Sequence, residues 1–339
     1  MGTNPLSPNG VSTADIQQHL TLGREPNAEL SLTRTSWEGE NAKNWNSVPS
    51  LEWIEHSKNW TPGNDSITAL KVNFKPGTSV SPTNDIKSEW ETQTFRVTFS
   101  NLQNSSYQSA DGTIHKIAKI ERTFSTFKAG DTNLYYAGEY IMVNSDPTDG
   151  FWYEGMTDVA YYDKYFDDKG NQITFDKGAY IAVTSLNKDP NRTEGVAVEN
   201  GTVYALKGSA ITVHGKVLYS DTDTDTKGKF EQKDWDRADS PTQYYGAGLV
   251  QLTGNVAKLK FFTNFEDSFN GKYGGTWATV STIIPASEFN LKRPTPPTPP
   301  EKNPQPTTKI NYHYNVTKAL PFYIPHQRVQ REFTSEKMQ

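Results

Sequence analysis

The chain has 339 residues and no cysteine. Thiol chemistry is therefore excluded, and the absence fits either a reducing compartment or an exported class that does without disulfides. Its six histidines are scattered with no close-spaced pair, so a histidine-based metal centre has no spacing to rest on. A Gly-x-Ser-x-Gly elbow, a P-loop and a dinucleotide fingerprint are all missing, which removes three common enzyme signatures. No apolar run is long enough to cross a bilayer, and the start, Met1-Gly2-Thr3-Asn4-Pro5, is polar and turn-rich with no visible signal peptide. Positive charge is also scarce. The formal net charge is −5, made of about +5 from residue 292 onward and −10 before it, so bulk charge does not attract a polyanion and any such site is a local patch.

What is present is aromatic and strand-like. Aromatics reach 12% although apolar residues are only 34% and mean hydropathy is −0.73, a balance suited to broad sheets with solvated faces. Short alternating runs recur at residues 67–74, 94–99, 179–184, 202–206, 211–219, 256–262 and 277–284, and each reads as a strand. Asp111-Gly112 and the Asp167-Asp168-Lys169-Gly170-Asn171 segment are hairpin turns. Residues 12–22 read as a short helix, with Ser12 or Thr13 as cap and Ile16 and Leu20 on one face. The expectation is an all-β chain, a large β-sandwich over residues 25–292, after an N-terminal segment 1–24. A polyproline linker at 293–307 follows, spanning roughly 40 Å if extended. Residues 308–339 then begin a stalk domain or tail.

Several groupings could carry function. Asp146, Asp149, Trp152, Tyr153, Glu154 and Asp158 crowd acids beside rings, where rings stack on sugars or bases and acids hold hydroxyls or a cation. The plainer reading is a turn followed by a strand whose rings enter the core. Two acids at 5–9.5 Å would suit a glycosidase, but acids are abundant throughout. Asp221-Thr222-Asp223-Thr224-Asp225 looks like a calcium loop yet fails the EF-hand pattern, with Thr226 at the glycine position and Gln232 at position twelve. His115, Lys116, Lys119, Arg122 and Lys128 form the densest basic stretch. On a strand Lys116 and Arg122 share a face and Lys119 points opposite, which splits the patch. Lys43, Trp45, Lys58 and Trp60 interleave cations with rings, a pattern that suits single-stranded nucleic acid or a teichoic backbone.

Four stretches resemble the variable-domain family of Gram-positive adhesins that includes glucan-binding protein C and the antigen I/II polypeptides. They are Thr98-Phe99-Ser100-Asn101-Leu102-Gln103-Asn104-Ser105-Ser106-Tyr107 with Ile114-His115-Lys116-Ile117-Ala118-Lys119; Asn144-Ser145-Asp146-Pro147-Thr148-Asp149-Gly150-Phe151-Trp152-Tyr153; Tyr245-Gly246-Ala247-Gly248-Leu249; and Gly275-Thr276-Trp277-Ala278-Thr279. The aggregation substances of enterococcal conjugative plasmids look nearest. The resemblance implies a supersandwich with a ligand cleft, secreted and anchored to the cell wall beyond a stalk. It also implies a non-catalytic adhesin that promotes aggregation and biofilm formation. The favoured partner is an anionic polymer, extracellular DNA or lipoteichoic acid. A glucan, a host glycoprotein or another host surface protein is the rival, and a carbohydrate-active enzyme is the reading from another class. Ligand contacts are expected at Trp152, Tyr153, Lys43, Lys58, Lys116 and Lys119. Calcium, by analogy with the family, is expected at Asp146 and Asp149.

Overall fold

Alternation of apolar and polar residues builds the architecture, because successive strand side chains point to opposite faces. In a computed structural model the described residues are 10–34, 51–56, 67–74, 76–79, 81, 94–135, 138–237 and 240–285. All of them lie in the first of two compact units, Met1–Phe289 and Asn290–Gln339. The expected linker and tail lie outside the described residues. The strands, in chain order, are β1 (Leu20–Thr21), β2 (Glu29–Arg34), β3 (Leu51–His56), β4 (Ile67–Phe74), β5 (Phe95–Ser100), β6 (Ser105–Gln108), β7 (Ile114–Ala129), β8 (Glu139–Asn144), β9 (Phe151–Glu154) and β10 (Met156–Asp167). Then follow β11 (Tyr180–Thr184), β12 (Lys188–Asp189), β13 (Arg192–Val198), β14 (Gly201–Ala205), β15 (Thr212–His214), β16 (Val217–Tyr219), β17 (Gly248–Leu252), β18 (Ala257–Phe265) and β19 (Thr276–Ser281).

They form two sheets of eleven and eight strands. The larger runs β1-β6-β7-β10-β18-β13-β16-β15, with β5 also on β7, β2 on β5 and β12 on β13. The smaller runs β14-β17-β11-β19-β9-β8-β4-β3. The all-β sandwich expected from the sequence is present. Phe95, Val97 and Phe99 of β5 point inward and Arg96, Thr98 and Ser100 outward; β19 and β18 alternate the same way. The core between the sheets is aromatic. Phe151 meets Phe124 at 5.2 Å, Tyr161 at 5.4 Å and Phe261 at 5.9 Å, each edge to face.

Three local expectations are corrected. Residues 12–22 make no helix beyond a 3-10 turn at Thr13–Asp15. Leu20 and Leu22 enter the core instead, β1 pairs with β6, and the Gln18 side chain donates to the Tyr180 carbonyl at 2.8 Å. An unpaired sheet edge and a core socket outweigh the modest propensity of one short helix. The domain boundary at residue 25 moves for the same reason, since residues 10–24 belong to the sandwich. Residues 211–219 are a hairpin, β15 and β16, because Gly215 takes the left-handed conformation (φ 63°) that turns the chain.

Candidate ligand-binding site

Registers place the C-terminal ends of β7, β11 and β18 and the N-terminal ends of β10, β13 and β19 at one end of the sandwich. The connections 185–191, 220–247 and 266–275 meet there, and Arg192 ties them together. Its guanidinium donates to Asp189 at 2.8 Å, Glu194 at 2.9 Å, Asp225 at 2.8 Å and the Tyr273 hydroxyl. Three carboxylates share one cation, and Asp236 lies near enough to act on the same group electrostatically. Burial pushes the Asp225 carboxyl up to about 7 even with Arg192 beside it, and burial raises Glu194 and Asp236 too. Above this cluster the 220–247 connection forms a cleft of about 350 Å³ lined by Asp225, Lys229, Phe230, Glu231, Gln232 and Lys233. A fully buried Trp235 supports it, and Phe230 packs on the edge of Tyr245 at 5.2 Å. Two carboxylates, an amide, two ammonium groups and a ring edge offer both donors and acceptors, which suits a ligand rich in hydroxyls.

A second feature lies on the outer face of the smaller sheet. Trp152 of β9 is the register partner of Trp277 of β19 on one side and of Met142 of β8 on the other. Both indoles point away from the core and are half-buried. The Trp277 Nε1 donates to the Asp149 carbonyl at 3.0 Å, which pins its ring to the turn before β9. Tyr140, also half-buried and outward, donates to Glu154 at 2.8 Å, with the Lys71 ammonium 4.2 Å from its ring centre. Gly275 makes room for this arrangement. Its φ is 87°, and a Cβ there would stand 2.5 Å from the Tyr153 carbonyl and 2.8 Å from the Trp152 indole nitrogen.

The residues singled out from the sequence do not converge. Tyr153 is 0% exposed, its hydroxyl 3.3 Å from Thr263, so it belongs to the core and its expected ligand contact is corrected. Strand alternation puts Trp152 out and Tyr153 in. Lys116 and Lys119 are on the outer face of the larger sheet, Lys116 bonded to Gln103 at 2.9 Å and Lys119 to Glu121 at 2.7 Å. Arg122 turns inward and is 2% exposed, held by Asp163 through two hydrogen bonds of 2.9 and 2.8 Å, so it does not share a solvent face with Lys116. A bulge at Ala118, where Ile117 pairs with Asp167 and Lys119 with Phe166, resets the alternation. Lys43 and Lys58 lie outside the described residues.

The acidic pair is engaged in local structure. Asp146 accepts from the Thr148 amide, the Thr148 hydroxyl and the Glu25 amide, capping the 3-10 turn Pro147–Asp149. Asp149 lies 3.8 Å from Arg24. Calcium needs six to eight oxygens, and among the described residues no group of three or more His, Asp or Glu is disposed to hold a metal ion. The pair does not fit a calcium centre. The Asp221 loop diverges likewise: Asp221 binds His214 and Thr212, Asp223 caps Thr226, and Asp225 faces Arg192. Sequence reasoning passed over Trp277 and Arg192. Trp277 had a signal, an outward position in a strand that alternates perfectly. Arg192 had a partial one, Asp189 and Glu194 three and two residues away, but Asp225 and Tyr273 reach it from other connections.

Searches against known folds and families agree with this architecture. Glucan-binding protein C of Streptococcus mutans superposes with a TM-score of 0.53 at 21% identity, over 84% of this chain and 83% of that one. The adhesin domain of PrgB from Enterococcus faecalis gives 0.52 at 16% identity, over 83% and 93%. The same domain bound to DNA gives 0.50 at 17% identity, over 84% and 98%. At such identities the likeness establishes the fold. The family model described as glucan-binding protein C matches residues 5–281, most of the sandwich, and the chain belongs to the glucan-binding protein C family.

Proposed function

We propose that this chain is the polymer-binding domain of a cell-wall-anchored adhesin, and that it takes a neutral polysaccharide on the outer face of the smaller sheet. The Trp152–Trp277 pair carries this reading. Two outward indoles on adjacent strands form an apolar strip with the half-buried Tyr140 hydroxyl at its margin. Sugar rings present apolar faces that stack on such strips while their hydroxyls reach the rim. Membership in a glucan-binding family is in keeping with it. The reading involves binding without turnover. A domain of this kind on a cell surface links cells through a shared polymer, the physical basis of aggregation and biofilm growth. Calorimetry with soluble dextran tests it. Trp152→Ala and Trp277→Ala should each weaken binding about tenfold or more, since stacking on an aromatic is worth roughly 1–3 kcal/mol. Salt between 50 and 300 mM should change little. Binding that survives both substitutions, or cleavage of the dextran, overturns the reading.

A second reading keeps the anionic partners, DNA or lipoteichoic acid. It draws on one observation, the cations Arg96, Lys119, Lys164, Lys258 and Lys260 that strand register places on the outer face of the larger sheet. A structural neighbour bound to DNA is consistent with it but, at 17% identity, speaks only to the fold.

A further inference from the structure

The turn that precedes β9 rests directly on the strand that carries Trp277. Its residues, Pro147–Asp149, make a 3-10 turn that ends at Gly150, where φ is 71° and a Cβ would run into the Ala278 carbonyl. Glycine at that position lets the turn lie against β19. The Asp149 carbonyl then sits where two side chains reach it. The Trp277 Nε1 donates to it at 3.0 Å and the Asn144 amide at 2.8 Å, which uses both of its lone pairs. An outward tryptophan on a strand has more than one staggered rotamer open to it, and its indole N–H seeks an acceptor. A carbonyl held in one place selects among those rotamers.

What holds the carbonyl is the buried side chain of Asp146. Its Oδ1 accepts from the Thr148 amide at 2.9 Å and from the Thr148 hydroxyl at 2.7 Å, which closes the turn at its N-terminal end. Its Oδ2 accepts from the Glu25 amide at 2.7 Å. Glu25 is itself 2% exposed and grips the start of β6, through the Gln103 and Asn104 amides at 2.7 Å each and the Ser105 hydroxyl at 2.8 Å. The turn is therefore tied to the larger sheet while it lies on the smaller one. Hydrogen bonds to an ionised carboxylate are about twice as strong as neutral ones. Removing those of Asp146 frees the turn, the carbonyl and the ring together.

We infer that Asp146 is a positioning residue for Trp277: it holds the 147–149 turn so that the Asp149 carbonyl fixes the indole in one orientation for a polysaccharide. The consequence for binding rests on the polysaccharide reading above, whereas the hold on the indole rests on the hydrogen bonds alone. The test uses the full chain, with soluble dextran titrated by calorimetry and hydrogen exchange at the Trp277 indole N–H followed by NMR. That resonance is assigned by its loss in Trp277→Phe. Asp146→Ala should speed exchange at the indole and weaken dextran binding about threefold to tenfold, the cost of ordering one loosened side chain on binding. Asp146→Asn should restore both, because its amide oxygen keeps the two bonds to Thr148. Adding Asp146→Ala to Trp277→Ala should weaken binding no further, since no indole is left to position. Pro147→Gly loosens the same turn with Asp146 in place, so it should act as Asp146→Ala does and serves if the alanine variant fails to fold. Parental exchange and affinity in the alanine or glycine variant overturn the role of Asp146. So does a loss in Asp146→Asn as large as in Asp146→Ala, or an additive loss in the double variant. If Trp277→Ala binds dextran like the parent, the polysaccharide reading falls, and the exchange rates still decide whether Asp146 holds the indole.

Discussion

Replacing Arg122 by methionine should be among the costliest single changes in the sandwich, although the residue sits in the most basic stretch of the sequence. Its guanidinium and the Asp163 carboxylate are 2% and 3% exposed and share two hydrogen bonds, with the Tyr161 ring 4.5 Å from the guanidinium carbon. Methionine removes the charge and both bonds. Asp163 is then left with the Tyr165 hydroxyl at 3.5 Å, too long to replace them. Stranding a buried charge costs about 3–5 kcal/mol, and a domain of this size loses about 2–4 °C of midpoint per kcal/mol, so a fall of roughly 6–20 °C is expected. The double variant Arg122→Met, Asp163→Leu should recover most of the loss, because an apolar pair of similar volume fits a core of Phe99, Phe151 and Tyr161. Scanning calorimetry of parent, single and double variants decides the matter. A single variant as stable as the parent, or a double variant worse than the single, refutes the account of Arg122 as a core ion pair.

Stability should also fall as pH rises from about 4 to about 7. Burial lifts Asp225 from an ordinary 3.8 and Glu139 from 4.5 to about 7 each, so the folded state binds protons that the unfolded state has already released in that window. Asp225→Asn should flatten the trend in urea midpoints measured at pH 4.5, 6 and 7.5, and an unaltered slope would contradict it. Calcium at 2 mM, or a chelator, should move the melting midpoint by less than about 1 °C, because the Asp146 oxygens are already engaged. A rise of several degrees with calcium would show a metal site elsewhere in the chain.

The fold class was legible in the sequence because period-two alternation is a local property. Thr276-Trp277-Ala278-Thr279-Val280-Ser281 and Ala257-Lys258-Leu259-Lys260-Phe261 state which residues face in and which face out, and both sheets follow that code. The Asp111-Gly112 turn was legible for a similar reason, since Gly112 supplies the left-handed φ of 88° that the hairpin between β6 and β7 needs. Strand order was not. Lys164 and Lys258 are 94 positions apart, and only the pairing of β10 with β18 sets them on one face. Trp152 and Trp277 meet through the pairing of β9 with β19, and Arg192 reaches Asp225 and Tyr273 on connections that no spacing rule links to it. The split between Lys116 and Arg122 was placed wrongly because one bulged residue in β7 inverts the parity of everything beyond it. A chain writes its own alternation into its sequence. Which strands lie side by side is decided by long-range pairing and by the fit of the rings between the sheets, and every candidate surface on this protein is a product of that choice.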